Sequence, residues 1–167
     1  NASGQLGTGA AGAPNAAPQA VPGLTGMLAV SAGSTHTCAL TATGAALCWG
    51  ANSQRQLGDN SQTARPAPVA VSGLDSGVTA ISAGWSFTCA VVNGAAKCWG
   101  VNFHSQLGNP VYQRSFVPVD VSGLGSGVAA IAAGGQHACA LTSGGAALCW
   151  GNGPMLGDGL GILSAVP

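Results

Sequence analysis

The chain has 167 residues and a net charge of zero, and only 5% of its residues are charged, far below the roughly 25% of ordinary globular proteins. Its four dispersed bases, Arg55, Arg65, Lys97 and Arg114, give no footprint for nucleic acid phosphates, and no basic amphipathic stretch suits direct membrane insertion. A hydrophobic fraction of 47%, interrupted by 28 glycines, excludes both disorder and a run of the ~18 apolar residues that a membrane span needs.

The first residues, Asn1…Gln5-Leu6-Gly7, open a pattern that returns as Asn52…Gln56-Leu57-Gly58 and Asn102…Gln106-Leu107-Gly108. It returns once more, one residue shorter and with Met155 for Gln, as Asn152…Leu156-Gly157. A variable polar stretch then leads to Pro18, Pro68, Pro118 or Pro167. Alternating runs ending in Ala-Gly follow at 27–33, 78–84 and 128–134. Each leads to a cysteine-bearing strand, a turn, and a strand closing on Cys48-Trp49-Gly50, Cys98-Trp99-Gly100 or Cys149-Trp150-Gly151.

These elements are short, have period-2 character and are bounded by Gly, Pro, Asn or Ser, and no helical pattern persists over ten residues. The tryptophans lie 50 and then 51 residues apart. The spacing predicts an all-β array with about four short antiparallel strands per ~50 residues, the size of a β-propeller blade. Repeat one covers 1–50, repeat two 51–100 and repeat three 101–151, and a further repeat begins at 152–167, all within one propeller-type array.

Placing Cys89 opposite Cys98 makes Val91 oppose Ala96 and Val92 oppose Ala95, leaving Asn93-Gly94 as a two-residue type I′ turn. Cys38/Cys48 and Cys139/Cys149 are spaced one residue wider and carry glycine in their loops, as three-residue turns do. Opposed residues on antiparallel strands lie within reach of a disulfide. Three local disulfides are therefore predicted, each contributing roughly 2–3 kcal/mol through loop closure. They imply an oxidising compartment, hence a secreted or cell-surface protein. No cysteines stand two to four residues apart as in structural zinc sites, so no metal is expected.

Together these motifs resemble the regulator of chromosome condensation repeat family. The resemblance is carried by Ala32-Gly33-x-x-His36-Thr37-x-Ala39-Leu40, Trp49-Gly50-x-Asn52 and Asn1-x-x-Gly4-Gln5-Leu6-Gly7-x-Gly9. It implies propeller blades, seven in the usual closed ring. The paired cysteines depart from the general family pattern and look like an extracellular, bacterial-type adaptation. Both ends fall inside a repeat, so the chain reads as a fragment of a longer array, or else as a subunit completed by neighbours. The resemblance permits nucleotide exchange on a small GTPase, chromatin contact or enzyme inhibition, and fold does not select among them. The first two are intracellular roles, against which the cysteine pairs and scarce charge argue.

No catalytic constellation recurs. Trp49, Trp99 and Trp150 read as packing between blades, and His36 and His137 as structural hydrogen-bonding groups. Asp120 and Asp158 stand isolated. Departures from the repeat are more informative. Residues 101–116 bring Phe103, His104, Tyr112, Arg114 and Phe116 where the other repeats have Ala, Ser, Asn and Gln, and Trp85 replaces Ser34 and Gly135. Aromatic residues with arginine in a loop fit a partner-binding hot spot. The sequence thus predicts an extracellular, non-enzymatic binding protein without a cofactor, its partner being a protein or a further copy of itself. The alternative is a structural subunit of an extracellular filament or surface layer.

Overall fold

The computed structural model describes residues 1–110, 113–157, 159 and 161–167, so Tyr112 and Asp158 lie outside the described residues. Among the described residues the chain forms eleven strands in three antiparallel sheets and no α-helix. The first sheet runs β1 (Met27–Ala32), β2 (His36–Thr41), β3 (Ala46–Gly50), β4 (Arg65–Ala70). The second runs β5 (Val78–Ala83), β6 (Phe87–Val92), β7 (Ala95–Val101), β8 (Arg114–Asp120). The third holds β9 (Val128–Ala133), β10 (His137–Thr142) and β11 (Ala147–Gly151). Where a fourth strand would pair, the third sheet has, among the described residues, a single bridge, Gly151 to Ser164, matching Gly50–Arg65 and Gly100–Ser115 in the other two.

The central hairpins adopt the predicted register. Cys89 faces Cys98, and Val92 faces Ala95 across a turn with φ of 50° at Asn93 and 79° at Gly94, both in the region a type I′ turn requires. In the first sheet Thr41 N–H bonds the Ala45 carbonyl over a three-residue loop whose Gly44 has φ of 80°. Disulfides join Cys38–Cys48, Cys89–Cys98 and Cys139–Cys149, with Cα separations of 4.1, 4.1 and 4.0 Å.

The cores lie between sheets. Cys38, Leu40, Ala46 and Cys48 of the first sheet pack on Val78, Ile81, Ala90 and Val92 of the second. One blade further on, Cys89, Val91, Ala96 and Cys98 pack on Val128, Ala138 and Ala140 of the third. Each of these two disulfides therefore staples its own hairpin and also presents its sulfurs to the following sheet.

Strands β1, β5 and β9 lie side by side as the inner edge of the array. An edge strand leaves N–H groups without ladder partners. Here Ser31 Oγ accepts the N–H of Ala83 and Ser82 Oγ that of Ala133, both at 2.9 Å, so each inner strand caps the next. The three sheets are blades of a β-propeller.

A second joint explains the Gln-Leu-Gly motif. The carbonyl of Gln5, Gln56 and Gln106 accepts the indole N–H of Trp49, Trp99 and Trp150 at 2.9, 3.0 and 2.9 Å. The glycine two residues on lies against the same ring. A Cβ on Gly58 would sit 2.7 Å from Trp99 Nε1, and its φ is 68°. The leading asparagine holds the loop: Asn52 Oδ1 accepts the Leu57 N–H, while Gln56 Oε1 accepts that of Gln54. Asn102 and Gln106 repeat both bonds to Leu107 and His104.

Candidate interaction surface

His36 illustrates what the repeated polar groups do. It is buried between the first two blades, with Nε2 2.8 Å from Thr88 Oγ1. The Thr88 hydroxyl donates to the Gln56 carbonyl at 2.8 Å, so it accepts from His36, and the imidazole carries its proton on Nε2. Burial lowers the His36 pKa to about 4 and leaves Nδ1 bare, without a hydrogen-bond partner. This histidine is a neutral strut. His137 stands at the same position of the third blade, half-buried, and Phe87 fills the place in the second.

The residues that break the repeat gather on one end of the second and third blades. Trp85, in the turn from β5 to β6, is 57% exposed, and Phe103, just after β7, is 55% exposed. Both line one cavity of about 220 Å³ with His104, Gln54, Val101 and Gln136. Gly135 lets Trp85 lie down: a Cβ there would come within 3.0 Å of the indole Cε2 and 3.2 Å of Cδ2. One ring face is thus braced on the third blade while much of the indole remains in solvent.

Arg114 and Phe116 belong to β8 and not, as the sequence suggests, to a loop running over 101–116. Two residues apart on a strand, they point to the same side. The Arg114 guanidinium lies 4.8 Å from the centroid of Phe103, and Arg55 lies 3.7 Å over Phe116. Trp85, Phe103, His104 and Arg114 therefore form one group, and Phe116 joins a neighbouring stack. Gln54, Gln136 and Arg55 escape the sequence reading. Arg55 carries one signal: it replaces Gly4 of the first repeat and keeps a glycine-like φ of 67°, a backbone state that disfavours a side chain and is often associated with functional sites.

Two of the four bases are neutralised elsewhere. Arg65 Nε meets Asp59 Oδ2 at 2.9 Å, and Lys97 Nζ meets Asp120 Oδ1 at 2.5 Å, so Asp120 is not isolated. Burial opposes the charge on Asp59. Hydrogen bonds from Ser61, Arg65 and Asn52 outweigh that and hold its carboxyl below the usual carboxylate range. Among the described residues no group of three or more His, Cys, Asp or Glu could hold a metal, and no helix is long and apolar enough to cross a membrane.

Stapled hairpins, capped inner edges and a tryptophan joint passed from blade to blade define a propeller-type repeat array. The chain belongs to the regulator of chromosome condensation (RCC1) repeat family, whose model matches residues 1–40 and 43–91. A second model of the same repeat matches 28–56 and 128–154.

Human WBSCR16 is similar at 27% identity and a TM-score of 0.75, over 84% of this chain and 37% of that one. Yeast RCC1 (Prp20) bound to Kap60 is similar at 21% identity and 0.76, over 87% and 37%. Saccharomyces cerevisiae Prp20p, studied with its binding to Gsp1p and histones, is similar at 23% and 0.69, over 87% and 38%. The two yeast likenesses speak for the fold. The chain spans little more than a third of the length of these structures. No curated protein sequence matches it.

Proposed function

We propose that the chain is part of an extracellular, non-enzymatic propeller that binds a protein partner at the cell surface, with 1–50, 51–100, 101–151 and 152–167 as successive units of one array. The observation that carries this reading is the cavity between exposed Trp85 and Phe103, built by residues that break the repeat. Exposed aromatics braced by arginine make anchors of the kind that dominate binding energy. Three disulfides support an oxidising location. Yeast RCC1 (Prp20), a protein of similar fold, is itself found bound to a protein, Kap60.

The test restores the repeat's own residues. Trp85→Ser with Phe103→Ser borrows Ser34 and Ser53, and circular dichroism checks that the fold is kept. Affinity capture from the native cell surface should then lose the partner. Unchanged capture, or wild-type protein recovered only inside cells with reduced thiols, would overturn the reading.

A second reading, self-association into a filament, is favoured by the open face of the third blade. Leu40 is 3% exposed and Val91 fully buried, whereas Leu141 at the same place is 45% exposed beside half-buried Cys139 and Cys149. The complementary side of the first blade shows Leu28 and Val30 at the surface. Head-to-tail contacts that do not close generate fibres, and electron microscopy would show them.

A further inference from the structure

We infer that the Trp85–Phe103 surface takes an acidic, apolar peptide segment, with a carboxylate on the Arg114 guanidinium and an apolar side chain in the cavity. This rests on the protein-binding role proposed above and assigns the partner's chemistry.

The four bases are unequally paired. Arg65 and Lys97 have carboxylates, while Arg55 and Arg114 have none among the described residues. Arg55 is met by a neutral group: with its amide oxygen turned inward, Gln62 accepts from Arg55 Nε at 3.1 Å and from a terminal nitrogen at 3.3 Å. Arg114 Nε is buried without an acceptor among the described residues. Among the described residues, this end of the molecule carries two arginine charges that no carboxylate meets. Its four carboxylates include Asp59 and Asp120, which are already engaged.

Geometry says how that charge is offered. The guanidinium carbon sits over the Phe103 ring, 4.8 Å from its centroid, within cation–π reach. Its N–H groups point along its plane, the direction in which a carboxylate is bound bidentately. Phe103 also walls the cavity. One ring thus positions the cation and lines the apolar seat, and a ligand that fills both must carry an acid close to a hydrophobic side chain. Gln54, His104 and Gln136 add polar groups suited to a peptide backbone. A polyanion such as single-stranded nucleic acid fits less well, because its affinity comes from many phosphate contacts along a positive groove.

The full chain is tested by calorimetry against three probes: a synthetic peptide alternating Glu with Leu and Phe, its Gln isostere, and a single-stranded oligothymidine of similar length. The Glu peptide should bind about tenfold more tightly than the Gln peptide near 0.01 M salt, with the difference gone near 1 M. Arg114→Gln should bring the Glu peptide down to the Gln peptide's affinity and leave the latter unchanged. Trp85→Ser should weaken both peptides. The wild-type salt titration stands even if Arg114→Gln unfolds. Tighter oligothymidine binding, no peptide binding, or a preference for Glu that survives Arg114→Gln or high salt overturns the inference. Equal binding of the two peptides, lost in Trp85→Ser, overturns the acidic partner and keeps the interaction surface; capture that ignores Trp85 and Phe103 overturns the surface itself.

Discussion

The indole N–H of Trp99 in the second blade donates to the main-chain carbonyl of Gln56, in the loop between β3 and β4 of the first blade, at 3.0 Å. The Thr88 hydroxyl donates to the same carbonyl at 2.8 Å. Either donor alone satisfies the oxygen, so Trp99→Phe should cost about 1–2 kcal/mol, and Thr88→Val about 2–3 kcal/mol because it also takes the acceptor from the buried His36 N–H. The double variant leaves a buried carbonyl bare and should cost more than the sum. Urea denaturation of the four proteins measures that coupling.

Glycine substitutions should separate strain from crowding. Gly58 and Gly73 share positive φ, 68° and 73°, but a Cβ meets Trp99 at the first and nothing within 4 Å at the second. Gly73→Ala should cost about 1 kcal/mol. Gly58→Ala should cost about 2–4 kcal/mol and weaken the buried-tryptophan fluorescence signature.

Removing disulfides should rank them by blade. Loop closure predicts about 3 kcal/mol for each pair, since the separations are 10, 9 and 10 residues. Replacing Cys38/Cys48 or Cys89/Cys98 by alanine also empties space between blades, whereas Cys139 and Cys149 are half-buried at an open face. The third pair should cost least, and mild reductant followed by alkylation and mass spectrometry should find it modified first.

Acid should weaken the joint between the first two blades. His36 has a folded pKa of about 4, below its unfolded value, because burial disfavours the charged ring. The unfolded chain therefore binds the extra proton. The contribution is fully present above about pH 6.5 and is lost as pH falls through 4. Between those limits stability should drop by up to about 1.4 kcal/mol for each pH step of one. His36→Phe, with the residue the second blade uses, should flatten this part of the stability profile measured by urea denaturation.

The hairpins were legible because their information is local: Asn93-Gly94 names its own turn, and cysteine spacing then sets the register. The blade-packing role of Trp99 was legible from its recurrence, though its bond to Gln56 was not, since main-chain acceptors leave no trace in sequence. Period-2 patterning shows that Cys38 and Leu40 share a face, but not which neighbour covers it. The Arg55–Phe116 stack joins distant segments, and its one local sign was an arginine where the turn wants glycine. Sequence placed Phe116 in a loop with Phe103 because proline and polar residues surround both, whereas edge pairing on β7 draws residues 114–120 into the sheet.

The sulfurs of the first two blades are wholly enclosed by the blade that follows. An oxidant can reach Cys38 and Cys48 only while the second blade is undocked, and Cys89 and Cys98 only while the third is. Once the stack closes, reductants are shut out by the same packing. The array thus carries a record of its assembly: each covered bond must be made before its lid arrives, and each lid then protects the bond beneath it.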